Sequence, residues 1–256
     1  MDLQLNGRIC LVTGASAGIG AGIARVLARE GAQVALVARR KEKLEALAAE
    51  IAGAGGLAPL VVPGDLLDAA APAKVAATIL KSFGRVDVLV NNAGGSRPVP
   101  KDGADVAWDE AMTLNFTAHR RMTQAVLDGM IERKWGRIIN ITGGISGTGE
   151  LSYVNAATTA KGAFAVWTKG LSNELAPHGI TVNVVAPGRI ISEQILNRLL
   201  PTEDARAAYA KANIPVGYIG APEDMANLVA FIASPLARYI TGSFMRVDGG
   251  MTRAAH

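Results

Sequence analysis

The chain has 256 residues, half of them hydrophobic and only 5% aromatic, with 29 glycines and a formal net charge of +4. This composition excludes a disordered or fibrous chain and suits a sizeable core threaded by many tight strand-to-helix turns. The basic residues are scattered without an aromatic-basic stripe, which argues against nucleic acid and for a small anionic ligand.

No run reaches the roughly 18 uncharged apolar residues of a membrane span. The start "MDLQLNGR" lacks a basic segment followed by an apolar one. A soluble, cytoplasmic protein is expected.

The first predicted strand, "ICLVT", carries Cys10, the only cysteine, so no intrachain disulfide can form and a buried strand thiol is expected. "TGASAGIG", Thr13 to Gly20, follows it and opens a predicted helix over 18–30. Gly14, Gly18 and Gly20 let the backbone turn sharply and approach a pyrophosphate, and the helix N-terminus offers unpaired N–H groups. Ser16 and Ile19 belong to the same turn and are candidate cofactor contacts.

The second strand, "VALVA", ends at Ala38, where an NAD site would offer a carboxylate to the ribose hydroxyls. Arg39 and Arg40 follow instead, and a guanidinium grips a 2′-phosphate at two points, so NADP(H) is expected. The alternative is that "RRKEK" is only a solvated helix start.

Further along, a helix over 41–52 precedes "LVVP", one over 68–82 precedes "VDVLV", and one over 105–133 precedes "RIINIT". The helix carrying Lys161, "TVNVVAP", a helical region near 192–212, a helix over 222–233 and "SFMRV" complete the series. Such alternation predicts right-handed crossovers and an α/β fold: a single doubly wound Rossmann domain over 1–256, with about seven parallel strands and helices on both faces. The ligand should lie beyond the C-terminal strand ends, and Arg189 to Pro215 should form a substrate lid. The histidines, His119, His178 and His256, are not clustered; surface roles are expected for them, and no metal site.

Beyond "TGASAGIG", the chain has "GD" at Gly64 and Asp65, "NNAG" at Asn91 to Gly94, Asn115 in "MTLNFT", Lys161, "PG" at Pro187 and Gly188, and "VDGG" at Val247 to Gly250. Over nearly its whole length the chain resembles the short-chain dehydrogenase/reductase family. The resemblance implies that Asp65 contacts the adenine, that Asn91, Ala93 and Gly94 line the cofactor path, and that Pro187, Gly188 and Ile190 hold the nicotinamide. Ser192 stands where the family often has a threonine. The resemblance also implies a small-molecule carbonyl or hydroxyl substrate, with the 3-oxoacyl type as one candidate, and a homodimer or homotetramer.

The family's chemistry uses Asn, Ser, Tyr and Lys, the lysine lowering the tyrosine's pKa and holding the nicotinamide ribose. Asn115 and Lys161 match this pattern. Asparagine is disfavoured within a helix unless something local uses its amide, which strengthens the functional reading of Asn115. Where the serine is expected stand Gly143 and Gly144, and four residues before Lys161 stands Ala157.

Tyr153 lies eight residues before Lys161, about 12 Å of rise on a continuous helix, too far for contact. If the helix begins near Ala156, its phenol can reach the pocket from a loop; otherwise it packs at a loop edge or an oligomer contact. Thr142, Ser146, Thr158 and Thr159 also carry hydroxyls near these positions, and Thr142, bordering the glycine pair, is the best placed. Three readings stay open: an oxidoreductase with Tyr153, a lysine-held water or Lys161 as proton donor, a non-catalytic NADP(H)-binding subunit or sensor, and a non-redox reaction on the same fold.

Overall fold

The computed structural model of the protein describes residues 1–95, 99, 103–143 and 156–253. Tyr153, Ser146, Gly144 and His256 fall outside the described residues. The strands are β1 (Ile9–Thr13), β2 (Gln33–Ala38), β3 (Leu60–Pro63), β4 (Val88–Asn91), β5 (Gly136–Ile141), β6 (Ile180–Pro187) and β7 (Phe244–Val247). They form one parallel sheet in the order β3-β2-β1-β4-β5-β6-β7. The chain winds outward from β1 to β3, then returns to set β4 beside β1. The reversal opens a crevice beyond the C-terminal ends of β1 and β4.

Strand side chains alternate between two cores because both faces of the sheet are covered. Cys10, Val12, Val34, Leu36, Val88 and Val90 face one core with Ile23, Leu27, Leu44 and Val229. Those four come from α1 (Gly18–Arg29), α2 (Lys41–Gly53) and α8 (Pro222–Ala233). Leu11, Ala35, Val37 and Leu89 face the other core with Ile79, Met122 and Leu175, from α3 (Ala71–Phe83), α5 (Ala118–Glu132) and α6 (Ala156–Leu175). Cys10 is fully buried, and its thiol is pushed up by burial and by Asp87.

Two expected helices are interrupted, each for a local reason. The stretch 105–133 is helical from α4 (Asp105–Met112) through α5, but Thr113–Thr117 widens into a π-turn around Asn115. The region near 192–212 is not one helix. A π-turn, Ile195–Leu199, ends at a non-helical Leu200; Pro201 follows, and Thr202 caps α7 (Glu203–Asn213) by accepting from the Ala205 amide at 3.2 Å. Proline disfavours the helical conformation in the residue before it, which accounts for the break at Leu200. Among the described residues no helix is long and apolar enough to cross a membrane.

Candidate active site

The glycine-rich turn is built by close backbone approach. Gly14 has φ +66°, and a Cβ there would lie 2.8 Å from the Cα of Ala93. A Cβ on Gly20 would lie 2.3 Å from the Gly14 carbonyl oxygen. Thr13 stitches this turn to the one after β4: its Oγ1 accepts from the amides of Asn92 (2.9 Å) and Ala93 (3.0 Å) and donates to the Val90 carbonyl (3.2 Å). The Asn92 amide donates to the carbonyls of Thr13 and Gly14. The floor of the crevice is therefore fixed by close backbone approach at Gly14 and Gly20.

Above this floor lie two cavities of about 430 and 290 Å³ that meet at Ala93 and Gly94. The larger runs from Gly14 and Ser16 past Arg39 and Arg40 to Asp65. Ser16 Oγ lies 3.2 Å from Arg40 Nη2, and Arg39 stands 4.0 Å from the Asp65 carboxylate. An aromatic base and a phosphate-bearing ribose fit a cavity with a cationic rim of this kind. The residues present thus suit a phosphorylated dinucleotide.

The smaller cavity is lined by Ile19, Asn92, Thr142, Gly143, Ala157, Thr158, Lys161, Pro187 and Gln194, among others. Burial lowers the pKa of Lys161, because an ammonium withdrawn from water loses hydration. Gly143 makes room for that ammonium: a Cβ at 143 would lie 3.1 Å from Lys161 Nζ. Thr142 is 2% exposed, and its Oγ1 has no hydrogen-bond partner among the described residues. A buried, unsatisfied hydroxyl lining the same cavity as a buried ammonium is suited to holding a ligand oxygen.

Asn115 stands behind this lobe. Its side-chain Nδ2 donates back to the Ala111 carbonyl at 2.9 Å, while Oδ1 accepts from the Gly95 amide at 3.2 Å. The side chain thus ties the helix to the loop after β4. One turn on, His119 is buried at 1% exposure and stacked on Phe164, which corrects the expectation of a surface histidine. Burial first, and then the charge of Lys161, bring the His119 pKa down to about 4, against a smaller upward pull from the Ala93 backbone. It is neutral near pH 7. His178 is half-buried.

Of the expected site residues, Gly14, Ser16, Arg39, Arg40, Asp65, Ala93, Gly94 and, in the second lobe, Ile19, Thr142, Lys161 and Pro187 come together around the crevice. Gly18 and Gly20 support the floor without lining it. Asn91 is buried, its amide donating to Thr123 (3.1 Å) and Asn140 (2.9 Å), so its side chain turns into the sheet–helix layer, away from the crevice. Gly188 lies against Asp248, and Ile190 lines a separate hollow near Tyr218. Ser192 accepts from the Ile195 amide at 3.3 Å and sits over Gly18.

Sequence reasoning missed Asn92, Lys43, Glu193, Gln194 and His119. A signal existed for the last alone: His119 follows Asn115 by one helical turn and so shares its inward face.

A family model described as enoyl-(acyl carrier protein) reductase matches residues 14–252. The chain is 39% identical over 252 residues to the 3-oxoacyl-(acyl-carrier-protein) reductase FabG of Aquifex aeolicus, covering 98% of this chain and all of that protein. Among solved structures it is similar to the L-sorbose reductase of Gluconobacter frateurii complexed with NADPH and L-sorbose, with a TM-score of 0.91, 30% identity and coverage of 99% and 100% of the two chains. It is likewise similar to a short-chain type dehydrogenase/reductase from Mycobacterium marinum, with a TM-score of 0.87, 32% identity and coverage of 99% and 98%. Sheet order, glycine turn and relatives agree, and the chain belongs to the short-chain dehydrogenase/reductase family.

Proposed function

We propose that this protein is an NADP(H)-dependent oxidoreductase that interconverts a carbonyl and a hydroxyl group on a small molecule of the 3-oxoacyl type. The observation that carries the reading is the junction of the two cavities. An arginine-rimmed adenosine lobe meets, at Ala93 and Gly94, a lobe that holds Lys161 and Thr142. The relatives that reduce 3-oxoacyl groups and L-sorbose support a carbonyl substrate.

NADP(H), when bound, supplies or accepts the hydride. The chain's own residues do the rest: Arg39 and Arg40 hold the 2′-phosphate, Lys161 the nicotinamide ribose, and Thr142 Oγ1 the substrate oxygen. Ala157 and Gly143 stand where the family carries tyrosine and serine, so the proton reaches the substrate oxygen from a non-standard donor. Lys161 fills that role, because its lowered pKa makes its ammonium a stronger acid than a free lysine. Tyr153 is the alternative donor.

The experiment is nicotinamide fluorescence with NADPH and NADH, followed by a panel of ketones, aldehydes and 3-oxoacyl thioesters. Loss of the NADPH signal on adding a carbonyl is the expected outcome. Tight binding without turnover across the panel favours a second reading, a cofactor-binding subunit or sensor, which the alanine at 157 and glycine at 143 also support.

The same reading takes the whole chain as one cytoplasmic domain, with residues 189–215 as its substrate lid and a homodimer or homotetramer as the assembly. Val106 on α4 and Val166 on α6, both largely exposed, offer apolar surface for self-association. A monomer by light scattering at working concentration would remove the oligomer.

A further inference from the structure

The rim of the adenosine lobe is occupied from across the crevice. Glu193 belongs to the segment after β6, 153 residues from Arg40, yet Arg40 Nη1 meets its carboxylate oxygens at 2.8 and 3.2 Å. Lys43 Nζ, on the first turn of α2, donates to the same carboxylate. Arg40 at the same time reaches Ser16 in the glycine-rich turn at 3.2 Å. The next residue, Gln194, lines the smaller cavity, and Ser192 rests over Gly18. One short segment therefore places a side chain on each lobe and rests over the glycine-rich turn.

A carboxylate that accepts from both a guanidinium and an ammonium uses the donors that a terminal phosphate uses. The anionic groups facing these cations are Glu193, on Arg40 and Lys43, and Asp65, at 4.0 Å from Arg39. Lys43 and Arg40 hold the Glu193 carboxyl below the usual carboxylate range, so it is ionised at neutral pH.

We propose that Glu193 sets cofactor selectivity. Its carboxylate competes with the 2′-phosphate of NADP(H) for Arg40 and Lys43, and leaves them when that phosphate binds. The inference rests on the NADP(H) reading. It adds that the preference conferred by the arginines is held down by a built-in competitor. NADH lacks the 2′-phosphate and does not need to displace Glu193. Release of Glu193 also frees the segment that carries Gln194, so the phosphate at one lobe changes the wall of the other.

The test is fluorescence titration of wild type and Glu193→Gln with NADPH and NADH, together with competition by 2′,5′-ADP and 5′-AMP, which carry no redox chemistry. Glu193 is an exposed side chain, so the variant keeps the fold, and circular dichroism checks this directly. The expected result is about three- to tenfold tighter NADPH and 2′,5′-ADP binding in the variant, as fits the loss of two solvent-exposed ion pairs, with NADH and 5′-AMP changed less than about twofold. In an Arg40→Ala, Lys43→Ala background the gain from Glu193→Gln should vanish.

Unchanged or weaker NADPH binding in Glu193→Gln overturns the proposal while leaving the NADP(H) reading intact. Equal tightening of NADH also overturns it, because the effect would then not depend on the phosphate. If neither protein binds 2′,5′-ADP better than 5′-AMP, the NADP(H) reading itself falls and the proposal with it.

Discussion

The Gly143 backbone packs against the Lys161 side chain so closely that a Cβ at 143 would lie 3.1 Å from Nζ and 3.3 Å from Cδ. The strand β5 ends one residue before Thr142, and α6 carries Lys161 against Gly143, so the two elements meet at this glycine. The neighbour that would be pushed is the far end of a flexible chain. Gly143→Ala should therefore cost less than about 1 kcal/mol of stability while moving the ammonium. Because small displacements in a catalytic site are costly, turnover should drop roughly ten- to a hundredfold with the urea midpoint nearly unchanged. Full activity in Gly143→Ala would separate Lys161 from the chemistry.

Lys161→Met keeps the bulk of the side chain and removes its charge. On the proposed reading both NADPH affinity and turnover fall, the latter by about a hundred- to ten-thousand-fold if the ammonium donates the proton. Comparing it with Tyr153→Phe assigns the donor: the residue whose loss removes the acidic proton supply also changes the pH–rate profile.

His119 makes stability depend on pH in the weakly acidic range. Its folded pKa of about 4 lies below the ordinary value of 6.5, so the unfolded chain binds its proton first as pH falls. Well above pH 6.5 both states are neutral at this residue and it adds no pH dependence. As pH drops from 6.5 towards 4, stability should fall by as much as about 3 kcal/mol from this group. Urea unfolding of wild type and His119→Leu at pH 7.5 and 4.5 measures the difference; the leucine variant should lose this part of the slope, and parallel slopes would refute the assignment.

Backbone approach at the glycine turn leaves no room for a methyl group. Gly14→Ala must accept φ +66° and a contact of 2.8 Å to backbone, neither of which a side-chain movement relieves. A loss of about 2 kcal/mol or more and of NADPH binding is expected, by thermal unfolding and fluorescence. Gly53→Ala at the end of α2 is the control: nothing lies within 4 Å of its Cβ, so it should stabilise the fold by about 0.5–1 kcal/mol.

Asn115→Leu removes a donor to the Ala111 carbonyl and the acceptor for the Gly95 amide. Leaving buried polar groups unpaired costs about 1–3 kcal/mol, and chemical denaturation should show a loss of that size. An unchanged midpoint would mean that the helix relaxes to an ordinary α-turn.

The order of strands and helices was legible because hydrophobic period is local. "ICLV" and "VALVA" are apolar on both faces, as strands covered by helices on both sides must be, and the glycines of "TGASAGIG" mark a turn of a known kind. Arg39 and Arg40 were legible because they directly follow the run that forms β2. The break at Leu200 has a local cause in Pro201 that a single helical region near 192–212 passes over; the π-turn at Asn115 was not legible, since it depends on which backbone groups find partners once the helices have packed.

Sequence by itself determined the fold class, the family and the residues that floor the crevice, because each follows from a period or a short run of neighbouring residues. Tertiary structure alone decided that Glu193 meets Arg40 across 153 intervening residues, that Gly143 gives Lys161 its space, and that His119 is buried and neutral. Those relationships join segments distant in the chain. Their energies depend on distance and on exclusion of water, and neither quantity exists until the sheet has brought the strand ends together.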